Sequence, residues 1–200
     1  KRKQKMRHIV YVDGSVGVGK STFIQVLSET FKSTLKIKNG NCKNSHSFKV
    51  DVLPEPLHRD WTKRIVDGIG YENLLKFLLV RKMVAIENWS NKIAMDGMQE
   101  LENNVLIVER SLEGDRLVND GFSNMFNEIK VKHRGEKVFN VFVKKLDSGS
   151  DEQSRLNVLY ADIATRDKNA PNNVHVLIRP RRISEYHTEA AYIVQKVLNI

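Results

Sequence analysis

Short apolar runs, each one strand long, alternate along the chain with stretches whose apolar positions recur every three to four residues. His8-Ile9-Val10-Tyr11-Val12-Asp13 is a β-branched run that reads as a buried strand. A glycine-rich turn from Gly14 to Gly19 follows, then a helix over about 21–31 with Phe23, Val26 and Leu27 on one face. Residues 33–47 are polar and read as a loop. Phe48 to Leu53 alternates as a strand and stops at Pro54-Glu55-Pro56. Residues 71–93 are helical, with Leu74, Leu75, Leu78 and Leu79 on one face. Val105-Leu106-Ile107-Val108 reads as a central parallel strand, 138–143 and 174–178 as two more, and 184–198 as a closing amphipathic helix. Five strands alternating with helices predict an α/β chain with a mainly parallel five-stranded sheet flanked by helices. Ligands of such sheets bind beyond the carboxyl ends of the strands. Gly14, Glu55 and Glu109 each follow a predicted strand, so all three are expected on one rim.

That rim carries chemistry. Gly14-Ser15-Val16-Gly17-Val18-Gly19-Lys20-Ser21 satisfies G-x-x-x-x-G-K-[ST] between a strand and a helix, as a phosphate-binding loop requires. Its backbone N–H groups can turn inward onto phosphate oxygens, and the helix N-terminus adds partial positive charge. Lys20 is expected to neutralise the β- and γ-phosphates and Ser21 to ligate Mg²⁺, with the cradle running on to Thr22. This predicts a P-loop NTPase-type three-layer fold with a site for a nucleotide and Mg²⁺. A GTPase would carry an Asn-Lys-x-Asp element after a strand, and none is present. An AAA-type or helicase ATPase stays open, because Glu109 ends an apolar run as such enzymes require.

The 200 residues hold 33 Lys and Arg against 24 Asp and Glu, a net charge of +9. Five of those nine excess charges lie in the first seven residues (Lys1, Arg2, Lys3, Lys5, Arg7). Residues 1–7 therefore read as a basic, disordered tail and 8–200 as a single domain. The rest is only modestly positive, which suits polyphosphate substrates without implying specific nucleic-acid binding. One cysteine, Cys42, excludes an internal disulfide framework. The most apolar stretch, Leu74 to Ile86, is broken by Lys76, Arg81 and Lys82, so no membrane span is expected. The apolar run after the basic start is too short for a secretory signal. An intracellular, cytoplasmic protein is expected, with nuclear targeting left open by the basic start.

Two further segments bring a family into view. Leu53-Pro54-Glu55-Pro56-Leu57, with Trp61 shortly after, resembles the Pro-Glu-Pro element of deoxynucleoside kinases. Val108-Glu109-Arg110-Ser111, followed by Asp115-Arg116, resembles their Glu-Arg-Ser motif, and the Asp-Gly opening of the phosphate loop is similar to viral thymidine kinases of that superfamily. The resemblance implies ATP-dependent phosphorylation of a deoxynucleoside 5′-hydroxyl, thymidine first, in the manner of nucleotide salvage. Glu55, rigidly held between two prolines, would take the hydroxyl proton. Arg110 would clamp the transferring phosphoryl, and Glu109 would help hold Mg²⁺ or its waters. Trp61 offers a flat apolar wall for the nucleoside, and Asp115 a secondary contact. Family members are commonly dimers, so a homodimer is compatible with the resemblance.

The chain departs from the family at two places. Where the family has a base-pairing glutamine on a helix, Ile86-Glu87-Asn88-Trp89 stands here, which makes Glu87, with Asn88 beside it, the expected base contact. In the lid, about 144–155, serines stand where the family has arginines, and Lys144, Lys145 or Arg155 would have to supply the charge. Two alternatives therefore stay open. One is a nucleoside monophosphate kinase such as a thymidylate kinase. The other is a nucleotide-binding protein whose degenerate lid has weakened catalysis.

Overall fold

The computed structural model describes residues 6–40, 48–55, 67–95, 103–119, 131, 133, 135–145, 149–166 and 174–199. The apolar runs form strands β1 (Met6–Gly14), β2 (Phe48–Leu53), β3 (Asn103–Glu109), β4 (Lys137–Lys144) and β5 (Val174–Ile178). They make one sheet in the order β2-β3-β1-β4-β5, with every pair parallel. Between them run helices α1 (Lys20–Gly40), α2 (Tyr71–Met95), α3 (Leu112–Val118), α4 (Asp151–Arg166) and α5 (Ile183–Leu198).

Alternation along the strands feeds two cores. Val10, Val12, Val105, Ile107, Val141 and Val143 meet Phe23, Leu27 and Phe31 of α1 and Ile193 and Val194 of α5. On the other face, Ile9, Tyr11, Leu106 and Val108 meet Ile86 and Trp89 of α2, and Phe142 meets Leu156 and Tyr160 of α4. Covering both faces is what a parallel sheet demands, and it is why its central strands are apolar at successive positions. The result is a three-layer α/β fold of the P-loop NTPase type.

Several boundaries differ from the sequence reading. Helix α1 continues to Gly40, through residues expected to be loop. Leu35 stands one turn beyond Phe31 and both are buried, so the apolar face runs on beneath a polar exterior. Burying two such side chains is worth about 1.5–3 kcal/mol each, enough to override weak local propensity. Strand β1 begins at Met6, with Met6 opposite Asn103 in the register, two residues inside the expected tail. Arg7 lies 3.6 Å from Glu136. Helices α3 and α4 had no counterpart in the periodicity. Among the described residues, no helix is long and apolar enough to cross a membrane.

Register decides what meets at the carboxyl rim. Val12 lies opposite Glu109, Gly14 opposite Val143, and Leu53 opposite Val108. The phosphate loop, Glu55 and the Glu109–Arg110 turn therefore leave the sheet side by side.

Candidate active site

The phosphate loop starts where β1 crowds against β4. A Cβ on Gly14, whose φ is +150°, would lie 2.5 Å from the Val143 carbonyl oxygen, so the loop can open there only at glycine. Lys20 begins α1 and folds back across the loop, its Nζ donating to the Gly14 and Ser15 carbonyls at 3.0 Å each. Burial pushes its pKa down, as does the nearby Arg110 charge, against the pull of Glu55, Glu109 and Asp13. Next along the helix, Ser21 Oγ donates to Glu109 Oε1 at 2.9 Å. The other Glu109 oxygen accepts the Glu55 backbone N–H at 3.2 Å. One carboxylate thus ties the phosphate-loop helix to the ends of β2 and β3.

This donor set fits Mg²⁺ with ATP. Among the described residues no cluster of three or more His, Cys, Asp or Glu could hold a metal ion. Mg²⁺ needs no such cage: it takes one or two protein oxygens and fills the rest with water and phosphate oxygens. Ser21 and Glu109 would supply those protein oxygens, and the loop with the α1 N-terminus would hold the phosphates.

Arg110 is the centre of the arrangement. It is almost fully buried and has φ +63°, in the left-handed region that costs a non-glycine residue roughly 1–2 kcal/mol. Its neighbours hold it there. Its N–H donates to the Val12 carbonyl at 2.9 Å, and its carbonyl accepts from Lys82 Nζ at 3.1 Å. The following Ser111 N–H donates to Asp13 Oδ1 at 2.9 Å, while Ser111 Oγ caps α3 by accepting the Gly114 N–H at 2.9 Å. Gly114 must be glycine, because a Cβ there would collide with the Asp13 carboxylate. Asp13 also accepts from the Tyr160 hydroxyl of α4. So fixed, the Arg110 side chain stands among three carboxylates: Nε is 3.3 Å from Glu55 and 3.9 Å from Asp115, and one terminal nitrogen is 3.4 Å from Glu152. Burial draws its pKa down, but the surrounding carboxylates outweigh that and raise it.

Beyond Arg110 opens a small cleft. Leu74, Leu75, Leu78 and Leu79 of α2 make its apolar wall, with Tyr71 and Glu55 also lining it. The Tyr71 hydroxyl donates to Asn119 Oδ1 at 2.8 Å. Inside the cleft lies a buried ion pair, Lys82 Nζ on Asp115 Oδ2. Burial pushes the Asp115 pKa up to about 6 in spite of Lys82. The folded state then holds a proton that the unfolded chain has lost between about pH 4 and 6. Stability from this group is full below about pH 4 and is lost as the pH rises through about 6. Urea unfolding of wild type and Asp115→Asn between pH 4 and 7 checks this. The difference in stability between the two should vary across that window, and a constant difference would show that Asp115 does not titrate there.

Of the residues singled out in the sequence, the fold brings together Lys20, Ser21, Glu55, Glu109, Arg110 and Asp115, with the loop from Gly14 to Thr22. Glu87 and Asn88 are not among the residues lining the cleft. They lie beyond Lys82 on α2, where Ile86 and Trp89 turn to the sheet and the Trp89 indole donates to Asp51 at 2.9 Å. Trp61 and Pro56 lie outside the described residues. Lys82 was missed as a site residue, although a signal existed. It falls four residues after Leu78 and four before Ile86, a charge on the apolar face of its helix, and such a charge needs a buried partner.

A phosphate loop between the first strand and first helix, feeding an all-parallel five-stranded sheet, defines a P-loop NTPase-type fold. No family model and no curated protein matches the chain. Among solved structures, a thymidylate kinase from Ehrlichia chaffeensis is similar with a TM-score of 0.58 at 17% identity, over 95% of this chain and 100% of that one. The thymidylate kinase from Candida albicans is similar with a TM-score of 0.51 at 11% identity, over 97% of this chain and 93% of the other. At such identities the likeness is one of fold.

Proposed function

We propose that the chain is a phosphotransferase that moves the terminal phosphoryl group of ATP to a nucleoside monophosphate. The observation that carries this reading is the position of Arg110, held in a strained backbone conformation between the phosphate loop and the leucine-walled cleft. From there its guanidinium can bridge a transferring phosphoryl and an acceptor phosphate. Lys82, the cation that lines the cleft, is held there by Asp115, and the fold likeness to two thymidylate kinases supports the reading. The leucines and Tyr71 would grip a nucleobase, while Lys20 would trade its two carbonyl partners for phosphate oxygens. Mg²⁺ held at Ser21 and Glu109 would screen charge on the polyphosphate. The test is transfer from γ-labelled ATP, offering the four deoxynucleosides and their monophosphates in parallel. Label is expected on a monophosphate, thymidylate first, and label on no monophosphate would overturn the reading.

A second reading, a deoxynucleoside kinase, is favoured by one feature: the Glu55 carboxylate lines the cleft beside Arg110, where a 5′-hydroxyl could give up its proton. Glu55→Gln separates the two. A phosphate acceptor is already anionic and needs no base, so a monophosphate kinase should keep kcat within about tenfold, Glu55 serving to orient Arg110. A nucleoside kinase should lose on the order of 10²–10⁴ in kcat, since its hydroxyl acceptor needs the base.

A further inference from the structure

We infer that Glu152 is an internal competitor for the nucleotide's phosphate, and that the first turn of α4 is a latch which nucleotide binding must release. The inference rests on the phosphate-loop reading above. A single oxygen, Glu152 Oε1, accepts from the Val16 N–H of the loop at 3.2 Å and lies 3.4 Å from a terminal nitrogen of Arg110. A loop amide and a guanidinium converging on one anionic oxygen is the donor arrangement that a phosphate oxygen takes. The next residue adds a second hold, because Ser15 Oγ donates to Gln153 Oε1 at 3.4 Å. Two consecutive residues of α4 therefore sit on the phosphate loop itself.

The rest of α4 is pinned. Leu156 and Tyr160 are buried against Phe142, the Phe142 and Tyr160 rings stack at 4.5 Å between centroids, and the Tyr160 hydroxyl reaches Asp13. Release is therefore confined to the first turn, where the Glu152 side chain is still 26% exposed and can swing into water. Charge makes that release necessary. Asp13, Glu55, Glu109, Asp115 and Glu152 set five carboxylates against the three cations Lys20, Lys82 and Arg110. A polyphosphate adds more negative charge to the same donors. Glu152 is the carboxylate that occupies a loop N–H, so it is the one displaced. Its departure frees a terminal nitrogen of Arg110 as the phosphate arrives, which couples nucleotide binding to arming of the arginine. Without that coupling, Arg110 would be exposed to water with no phosphoryl group to clamp.

A latch of this kind weakens apparent affinity by the fraction of molecules that are open. Calorimetric titration of MgATP into the full chain measures it. Glu152→Gln and Glu152→Ala should each bind MgATP about five- to tenfold more tightly than wild type. Glu189→Gln, which removes the same charge beside His175, far along the chain on α5, should bind as wild type does. Unchanged or weaker binding by both Glu152 variants, with wild type binding measurably, would overturn the latch and leave the phosphate-loop reading standing. Absence of MgATP binding in every protein would overturn both. In wild type, hydrogen exchange at the amides of residues 153–155 should speed up on addition of MgATP, and slower exchange there would also overturn the latch.

Discussion

Arg110→Lys should lower kcat for phosphoryl transfer by on the order of 10³ while changing the MgATP dissociation constant only a few-fold. The backbone of residue 110 is held by Val12, Lys82 and the Ser111–Asp13 bond, so the substitution keeps the turn and changes only the charged head. Arginine presents a planar fork: Nε faces Glu55 while a terminal nitrogen reaches Glu152, in different directions. A lysine ammonium is one point charge and cannot span both sides of a transferring phosphoryl. The loss should therefore fall on the transition state, with kcat and kcat/KM lowered together. Steady-state kinetics at saturating MgATP, with thermal unfolding to confirm an intact fold, checks this. A loss confined to KM would make Arg110 a ground-state binding residue and remove it from the chemistry.

Lys20→Ala should abolish measurable transfer and weaken MgATP binding by at least about 10²-fold. Nζ is the ammonium nearest the loop's turn, buried, and bonded to two backbone carbonyls of the loop. In a site where carboxylates outnumber cations, no other described group can replace its charge on the terminal phosphates. The two carbonyls it leaves belong to the buried Gly14 and Ser15, so the cost to stability should be about 1–3 kcal/mol. Calorimetric titration with MgATP and urea unfolding separate the two effects. Retained binding and turnover would remove the phosphate-loop assignment and with it both functional readings.

Features carried by neighbours in the chain were open to sequence reading. Val105-Leu106-Ile107-Val108 is apolar at four successive positions because both its faces are covered, and that alone marks a central parallel strand. The phosphate loop is equally local: its glycines, Lys20 and Ser21 act within one turn. Helix α1 was read too short because Ser33, Thr34 and Lys36 hide the continuation of its buried face through Leu35. Helix α3 has seven residues, too few for a period, and only its Ser111 cap announces it. Among the described side chains of helix α4, Gln153, Leu156 and Tyr160 are buried and Val158 is exposed, so the apolar stripe they form is thin. The distance from Glu-Arg-Ser singles out Glu87, whereas helical spacing singles out Lys82, the charge on the apolar face that lines the cleft.

By itself the sequence determined the glycine-rich loop with Lys20 and Ser21, the strand and helix alternation, and the three strand ends from which Gly14, Glu55 and Glu109 emerge. Those follow from contacts within a few residues, where dihedral preference, pleat and helical period act directly. Only the tertiary structure decided what stands around Arg110: Glu55, Asp115 and Glu152, with Lys82 holding its carbonyl and Asp13 fixing the turn behind it. These groups come from separate elements and are brought together by strand register and helix packing. Their charges act through space in a buried setting where each must be matched, and no local pattern in a sequence records that matching.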